Sequence, residues 1–366
     1  MYVFAEKLYQ KTCLNLLELE HKIRGFLSMS DPILTIAIPT YNRVDKLTRI
    51  LQLIQDEIIK LNLSNDMEIL VSDNSDAKFE GIHGVIEQPI KYIWNETNVG
   101  FDRNVLNCVA NSNTKYVWLF GDDDILETNI LIDVIDRLKA QSPILSILKF
   151  GQFNISNSLE YMPQVKMWHE LSGADEMSKL ILESAKLTNY VIRKDLAVLN
   201  IVDLERYIGT GWMHQILAIE SLHNSSSPGI HYFNTVCASA LKSESEALEW
   251  PPLAYRKGAE VLAHPFFSSR IGLQSPFIKN HSTNLIKSEL LVLLYGLSGY
   301  WSVKDRNSYV EYLKSTSYSD YSGLGVRYMT MYILLRLGLY KVILPALNIW
   351  LAFKNFRLND AIKKRQ

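Results

Sequence analysis

Hydrophobic and polar positions follow two rhythms between residues 33 and 140. Short runs rich in β-branched and aromatic residues predict strands, at 34–38, 67–71, 90–94 and 116–120. Between these runs, apolar residues recur every three or four positions. That spacing predicts amphipathic helices, at 44–61, 102–111 and 126–140. Alternating strands and helices predict an α/β fold with a doubly wound sheet, and Pro39 is expected to end the first strand.

Polar residues cluster directly after each predicted strand. The clusters occupy residues 40–43, 72–74, 98–100 and 122–124. The carboxyl ends of parallel strands meet at one edge of an open α/β sheet, where such sheets bind ligands. The sequence therefore predicts a ligand site at that edge.

The last cluster is three consecutive carboxylates, Asp122, Asp123 and Asp124, which follow Gly121. Adjacent anions repel one another unless a cation or a set of donors neutralises them. Oxygen ligands beside a substrate phosphate suit Mg²⁺ or Mn²⁺. The alternative is an acidic turn that caps a helix starting near Ile125.

Composition excludes several classes of function. The chain has 38 basic and 39 acidic residues among 366, a balance that argues against nucleic-acid binding through bulk charge. Three cysteines are too few and too scattered for a disulfide framework or a zinc site. No signal peptide and no membrane-spanning helix are expected. The loop after the first strand lacks the glycines of dinucleotide-binding and P-loop motifs.

Four segments together resemble the signatures of family 2 glycosyltransferases, in the family's order and spacing. They are residues 36–43, 69–75, 98–104 and 121–124. Within that family, the chain is most similar to bacterial O-antigen sugar transferases of the abequosyltransferase type. The resemblance implies a GT-A fold with a doubly wound mixed sheet, a nucleotide-sugar donor, and Mn²⁺ or Mg²⁺ as the cofactor.

The resemblance also implies which residues bind the donor. Pro39, Thr40 and Tyr41 would line the nucleoside pocket, and Asp73 would accept hydrogen bonds from the base. The remaining donor-binding positions lie near the ribose, the sugar or the diphosphate: Arg43, Asn98, Gly100, Arg103 and Asp122. Arg193, after a further predicted strand, is expected either near the donor phosphates or on the surface.

Asp123 and Asp124 are the metal ligands that the resemblance implies, and Asp124 is also a candidate catalytic residue. The register stays open, because the family's D-x-D motif fits Asp122 and Asp124 while its D-D form fits Asp122 and Asp123.

The catalytic base is expected from the second half of the domain. Family 2 enzymes usually supply an acidic residue from a Glu-Asp pair ahead of a helix. The corresponding stretch here, residues 207–215, lacks that pair. His214 is the nearest replacement, since an imidazole accepts a proton near neutral pH. His214 could equally be a metal ligand, an acceptor contact or a histidine buried on a helix face. Weaker candidates for the base are Asp175, Glu176 and Glu220.

We expect residues 1–32 to be helical, 33–245 to form the catalytic domain, and 246–366 to be a helical extension. The domain would divide into a nucleotide-binding half, 33–140, and an acceptor half, 141–245. Basic and aromatic residues mix between 327 and 365. That mixture predicts binding to the anionic surface of the inner face of the cytoplasmic membrane, or a helical pair with a basic solvent face.

The function that these observations predict is a metal-dependent transfer of a sugar to a polyprenyl-linked saccharide acceptor in O-antigen synthesis. One alternative is a sugar nucleotidyltransferase, although such chains usually open with a glycine-rich basic loop. Another is an inactive, sugar-nucleotide-binding assembly subunit, which the missing Glu-Asp pair supports. Donor hydrolysis or transfer distinguishes the last from the first.

Overall fold

The computed structural model describes residues 31–151, 168–184 and 186–240, and, beyond them, 261–262, 264–270, 290, 293, 310, 313–314, 326–339 and 345. The strands are β1 Leu34–Thr40, β2 Met67–Asp73, β3 Ile90–Trp94, β4 Tyr116–Leu119, β5 Asp124–Leu126, β6 Leu145–Gly151, β7 Trp168–Leu171, β8 Tyr190–Arg193 and β9 Ile230–Ala240. The α-helices are α1 Val44–Lys60, α2 Phe101–Asn111, α3 Ile130–Gln141, α4 Ala174–Glu183, α5 Lys194–Ala197, α6 Met213–His223, α7 Pro265–Arg270 and α8 Val326–Arg336. Short 3-10 helices cover Ile82–Gly84, Leu187–Asn189 and Ile201–Tyr207.

The described residues form one mixed sheet in the order β3-β2-β1-β4-β8-β6-β9-β5, with β7 paired to β9. The first four strands of that order are parallel. β8 is antiparallel to both of its neighbours, β4 and β6. Antiparallel pairing brings the beginning of β8 to the edge where β4 ends. The mixed α/β sheet that the sequence predicted is confirmed.

Helices cover both faces of the sheet, as a doubly wound fold requires. One buried cluster combines α1 and α3 with side chains such as Ile36 and Trp118. The other combines α2, α4 and α6 with the neighbouring positions Ala37 and Val117. Successive side chains of a strand point to opposite faces, so the apolar runs of β1 and β4 supply both clusters.

The expectation that Pro39 ends the first strand is wrong, because β1 continues through Thr40. β4 pairs with β1 only as far as Ala37. Pro39 is paired with Ser72 of β2 and lies beyond the β4 register. Its missing N–H therefore removes no hydrogen bond from the ladder with β4.

The helix expected from residue 126 is also misplaced, and with it the alternative in which the carboxylates cap a helix near Ile125. Residues Asp124–Leu126 form β5, which pairs with β9. Burial alternates along these three residues, as it does in a strand. Helix α3 begins only at Ile130, after Asn129 in a left-handed conformation with φ 62°.

The expected helical segment before residue 31 lies outside the described residues. So does most of the predicted extension after residue 245, including the basic and aromatic segment except for residues 327–339 and 345. Within the part of the chain that the structure describes, no helix is both long and apolar enough to cross a membrane.

Candidate active site

The polar loops after β1, β2 and β4 meet at one edge of the sheet. Thr40 and Asp73 are register partners at the ends of β1 and β2. Ala37 pairs with Leu119, two residues before Gly121, so the loop after β4 begins beside the end of β1. The shared edge predicted from the sequence is therefore present.

The structure joins Asp122 to the loop after β1. Its Oδ2 accepts a hydrogen bond of 2.7 Å from Thr40 Oγ1, and its Oδ1 accepts one of 2.9 Å from Arg43. Burial raises the pKa of Asp122, while the Arg43 charge and the Thr40 hydrogen bond counteract that rise. Arg43 also contacts Asp123, at 3.4 Å. One cation of the chain thus neutralises part of the carboxylate cluster.

Asp124 is held from the β8 side of β4, by a residue of the 3-10 helix that directly precedes β8. Its Oδ2 accepts a short hydrogen bond from the Thr188 hydroxyl, and the side chain is buried. Burial raises the pKa of Asp124 to about 6, and the neighbouring charge of Asp123 adds to the rise, while the hydrogen bond from Thr188 opposes it. Asp122 and Asp124 therefore have separate partners.

Asp123 and Asp124 fold back over Gly121. A Cβ added to Gly121 would lie 2.6 Å from Asp124 Oδ2 and 3.3 Å from Asp123 Oδ1. Only glycine therefore lets both carboxylates occupy these positions. The chain reverses here within two residues, so side chains adjacent in sequence converge in space.

The carboxylate oxygens of this cluster are suitable ligands for Mg²⁺ or Mn²⁺ bound together with a substrate phosphate. The described residues contain no group of three or more His, Cys, Asp or Glu side chains placed to hold a metal. Mg²⁺ does not need such a cage, because it commonly uses one or two carboxylates with substrate phosphates and water. Asp123, whose side chain is 37% exposed, and Asp124 meet that requirement.

The loop after β2 is rigidly connected. Asp73 is 1% exposed, and its carboxylate accepts hydrogen bonds from Ser75 N, at 2.8 Å, and Tyr92 Oη, also at 2.8 Å. Asn42 bonds to Asp76 through its side chain, which fastens the loop after β1 to that after β2. Asn42 does not cap α1, because Arg43 holds the N-cap position.

Asn98 and Gly100 form a turn that leads into α2. Gly100 N donates to Asn98 Oδ1 at 2.9 Å, and Gly100 has a φ of 84°, which favours glycine. Asn74 Nδ2 donates to Gly100 O at 3.2 Å. This turn is thus attached to the loop after β2.

Two arginines have partners away from the carboxylate cluster. Arg103 forms a bidentate ion pair with Glu205. Arg193 pairs with Asp195 at 2.8 Å, and its partner in the sheet is Tyr116, the first residue of β4. Arg193 is therefore at the opposite edge from the site. Of the two places expected for it, the one near the donor phosphates is wrong.

His214 lies in the first turn of α6 and is 1% exposed. Its ring centroid is 6.0 Å from that of Trp212, 5.7 Å from Tyr190 and 6.2 Å from Phe101. The packing matches the alternative of a histidine on a buried helix face. A role for His214 as the base stays a prediction.

Sequence reasoning missed Asp102, which joins the two halves of the domain. The side chain is 3% exposed. Its carboxylate accepts hydrogen bonds from Gly211 N at 2.8 Å and from Met213 N at 3.1 Å. A carboxylate of α2 therefore binds the amino-terminal end of α6, where the helix dipole favours negative charge. Asp102 lies two residues after Gly100, but its position in the sequence does not indicate this partner.

Part of the chain is similar to a known protein family. Residues 35–185 match the family model described as glycosyl transferase family 2. This part of the chain is therefore similar to family 2 glycosyl transferases. The matched region includes the carboxylate cluster and the loops after β1, β2 and β3, while Thr188 and His214 follow it.

Among curated proteins, the chain is similar to abequosyltransferase RfbV of Salmonella typhimurium strain LT2. The two are 37% identical over 119 residues, which cover 31% of this chain and 34% of the relative. The match thus spans about a third of the relative's length.

Two solved structures illustrate the similarity in structure. S. aureus TarS 1–349 in complex with UDP-GlcNAc has a TM-score of 0.49 and 15% identity, over 84% of this chain and 88% of that one. The mannosyltransferase PcManGT from Pyrobaculum calidifontis, in complex with GDP-Man and Mn²⁺, has a TM-score of 0.45 and 11% identity, over 86% of each chain.

Proposed function

We propose that this chain is a metal-dependent glycosyltransferase that uses a nucleotide-diphosphate sugar as donor. The observation that carries the proposal is that Thr40 and Arg43 bind Asp122 at the carboxyl edge of the sheet. Arg43 also contacts Asp123, and Asp124 follows directly within the region that matches the family 2 model. A bound divalent cation would stabilise the negative charge that develops on the leaving diphosphate.

The residues of this chain divide the remaining tasks. Asp123 and Asp124 would hold the metal, and Asp122, fixed by Thr40 and Arg43, would contact the ribose or the donor sugar. Pro39, Thr40, Tyr41 and Asp73 would surround the nucleoside. The remaining contacts to the donor would come from Asn98, Gly100 and Arg103. Arg103 would make its contact either after leaving its ion pair with Glu205 or while keeping that pair.

Removal of the acceptor proton needs a base near the acceptor hydroxyl. His214 and Asp124 are the residues we assign as candidates. His214 would require the aromatic side chains around it to open toward the acceptor, since it is 1% exposed. Replacement by glutamine keeps the size of the side chain but removes the base, so His214→Gln should lower kcat and leave nucleotide binding unchanged.

The partial match to an abequosyltransferase supports an acceptor that is a lipid-linked saccharide of O-antigen synthesis. Such an acceptor would place the enzyme at the inner face of the cytoplasmic membrane. The basic and aromatic residues between 327 and 365 support contact with anionic lipid. Flotation with vesicles of phosphatidylglycerol, compared with neutral phosphatidylcholine vesicles, tests that contact.

The activity test is release of nucleoside diphosphate from UDP-, GDP-, CDP- and dTDP-sugars, each with and without Mn²⁺. One donor should react, only with metal, and an Asp123→Asn, Asp124→Asn double variant should be inactive. Asp136→Asn, an exposed aspartate of α3, is the matched control and should retain activity. Release of pyrophosphate from nucleoside triphosphates would indicate a nucleotidyltransferase instead. Nucleotide binding without turnover would indicate an assembly subunit.

A further inference from the structure

Thr188 connects the candidate metal site to the second half of the sheet. The residue lies in the 3-10 helix directly before β8 and is 1% exposed. Its hydroxyl donates a short hydrogen bond to Asp124 Oδ2 and accepts one of 2.9 Å from Gly121 N. Its backbone oxygen accepts a hydrogen bond of 2.9 Å from Trp118 Nε1.

The direction of this chain of hydrogen bonds is fixed by chemistry. A hydroxyl has one proton to donate, and the amide of Gly121 can only donate. The Thr188 proton is therefore directed to Asp124, whose ionised carboxylate can only accept. Among the described residues, Thr188 donates to Oδ2 of that carboxylate, and Oδ1 accepts no hydrogen bond.

We propose that Thr188 is a positioning residue for the metal site: it fixes the orientation of Asp124 so that Oδ1 can bind the cation. The inference rests on the proposed metal-dependent function. A ligand whose rotation is restrained in advance loses less conformational freedom when the metal binds. Hydrogen-bond partners of metal ligands commonly change metal affinity by about 10–100-fold when they are removed.

The contact between Thr188 and Asp124 joins β8 to the loop after β4. β8 runs antiparallel to β4, so the start of β8 meets the loop that follows β4. Asp124 thus follows β4 and Thr188 precedes β8, and these two strands form one antiparallel pair. The metal site is complete only when the two halves of the sheet are assembled.

The test is Mn²⁺ binding measured by electron paramagnetic resonance, with Mn²⁺ alone and with Mn²⁺ plus UDP, GDP, CDP or dTDP. Thr188→Val keeps the shape but removes the hydroxyl, and its Kd for Mn²⁺ should rise about tenfold or more. Thr188→Ser keeps the hydroxyl and should bind within about threefold of the wild type. If the valine variant does not fold, Thr188→Cys, a weaker donor, takes its place.

Thr114→Val is the matched control. Thr114 is also a buried threonine with hydrogen-bonded hydroxyl, to Tyr116 O at 2.6 Å, but it precedes β4 and so lies at the opposite edge of the sheet. Its Mn²⁺ affinity should equal that of the wild type. Equal affinity of Thr188→Val and wild type would overturn the inference alone. Absence of Mn²⁺ binding in the wild type would overturn both the inference and the metal-dependent function.

Discussion

Replacement of Asp102 by asparagine should loosen the start of α6 without unfolding the sheet. The carboxylate accepts from two backbone amides, Gly211 N at 2.8 Å and Met213 N at 3.1 Å. Asparagine has almost the same shape but only one acceptor oxygen, so its NH₂ group must face one of the two amide donors. The change removes charge from the end of the helix and leaves one buried N–H without an acceptor.

The magnitude follows from the two contacts. A hydrogen bond to a charged group contributes about 1.5–3 kcal/mol, and one such bond is lost while the other becomes neutral. We therefore expect the local opening free energy of residues 210–214 to fall by about 2 kcal/mol. Since about 1.4 kcal/mol is a factor of ten, their amides should exchange hydrogen roughly 30-fold faster.

Hydrogen exchange read by mass spectrometry measures this opening directly. Asp102→Asn should accelerate exchange in peptides covering residues 208–216 and leave peptides of β2 unchanged. Asp175→Asn is the control, since Asp175 is an exposed acid in the first turn of α4, and it should not affect those peptides. Exchange within threefold of the wild type in Asp102→Asn would refute the role given to this carboxylate.

Three further predictions concern the carboxylate cluster after β4 and the buried pair of Glu220 and His264. Gly121→Ala places a Cβ 2.6 Å from Asp124 Oδ2, so the Asp124 side chain must move. The affinity for Mn²⁺, measured by electron paramagnetic resonance, should therefore fall, with a smaller effect on the melting temperature. Unchanged affinity would contradict this. Because Asp124 has a pKa of about 6 and must lose its proton to bind metal, Mn²⁺ affinity should be constant above pH 7 and fall up to tenfold per pH unit below 6; a flat profile to pH 5 would argue against Asp124 as a ligand. Glu220→Ala leaves the Nε2–H of His264, 0% exposed, without its 3.1 Å carboxylate acceptor, while Phe266 N still donates to Nδ1. The lost hydrogen bond to a charged group should lower the free energy of unfolding in urea by about 2 kcal/mol, where a loss below about 0.5 kcal/mol would be inconsistent.

The edge that holds the site could be predicted from sequence because parallel strands share a direction. Once β1, β2 and β4 are recognised, the residues after each must lie together, and Thr40 beside Asp122 follows from that rule. Strand β5 could not be predicted, since three residues are too few to show a periodicity. The apolar residue at its end, Leu126, instead fits the spacing of the helix that follows.

The contacts that fix the site join residues far apart in the chain, and sequence periodicity does not specify them. Gly121 and Thr188 are 67 residues apart, and they meet only because β8 is antiparallel to β4. Asp102 and Gly211 are 109 residues apart. The partner of Arg103 likewise depends on where the 3-10 helix that carries Glu205 packs against α2.

The proposed function requires that the carboxylates after β4 bind a nucleoside diphosphate through a divalent metal. Thermal unfolding of the wild type and of an Asp123→Ala, Asp124→Ala double variant, with UDP, GDP, CDP or dTDP and with or without Mn²⁺, tests it most directly. A ligand at a hundred times its Kd stabilises the folded state by about 2.7 kcal/mol. We expect a higher melting temperature with one nucleotide, only with metal and only in the wild type. No shift with any nucleotide, or an equal shift in the double variant, would contradict it.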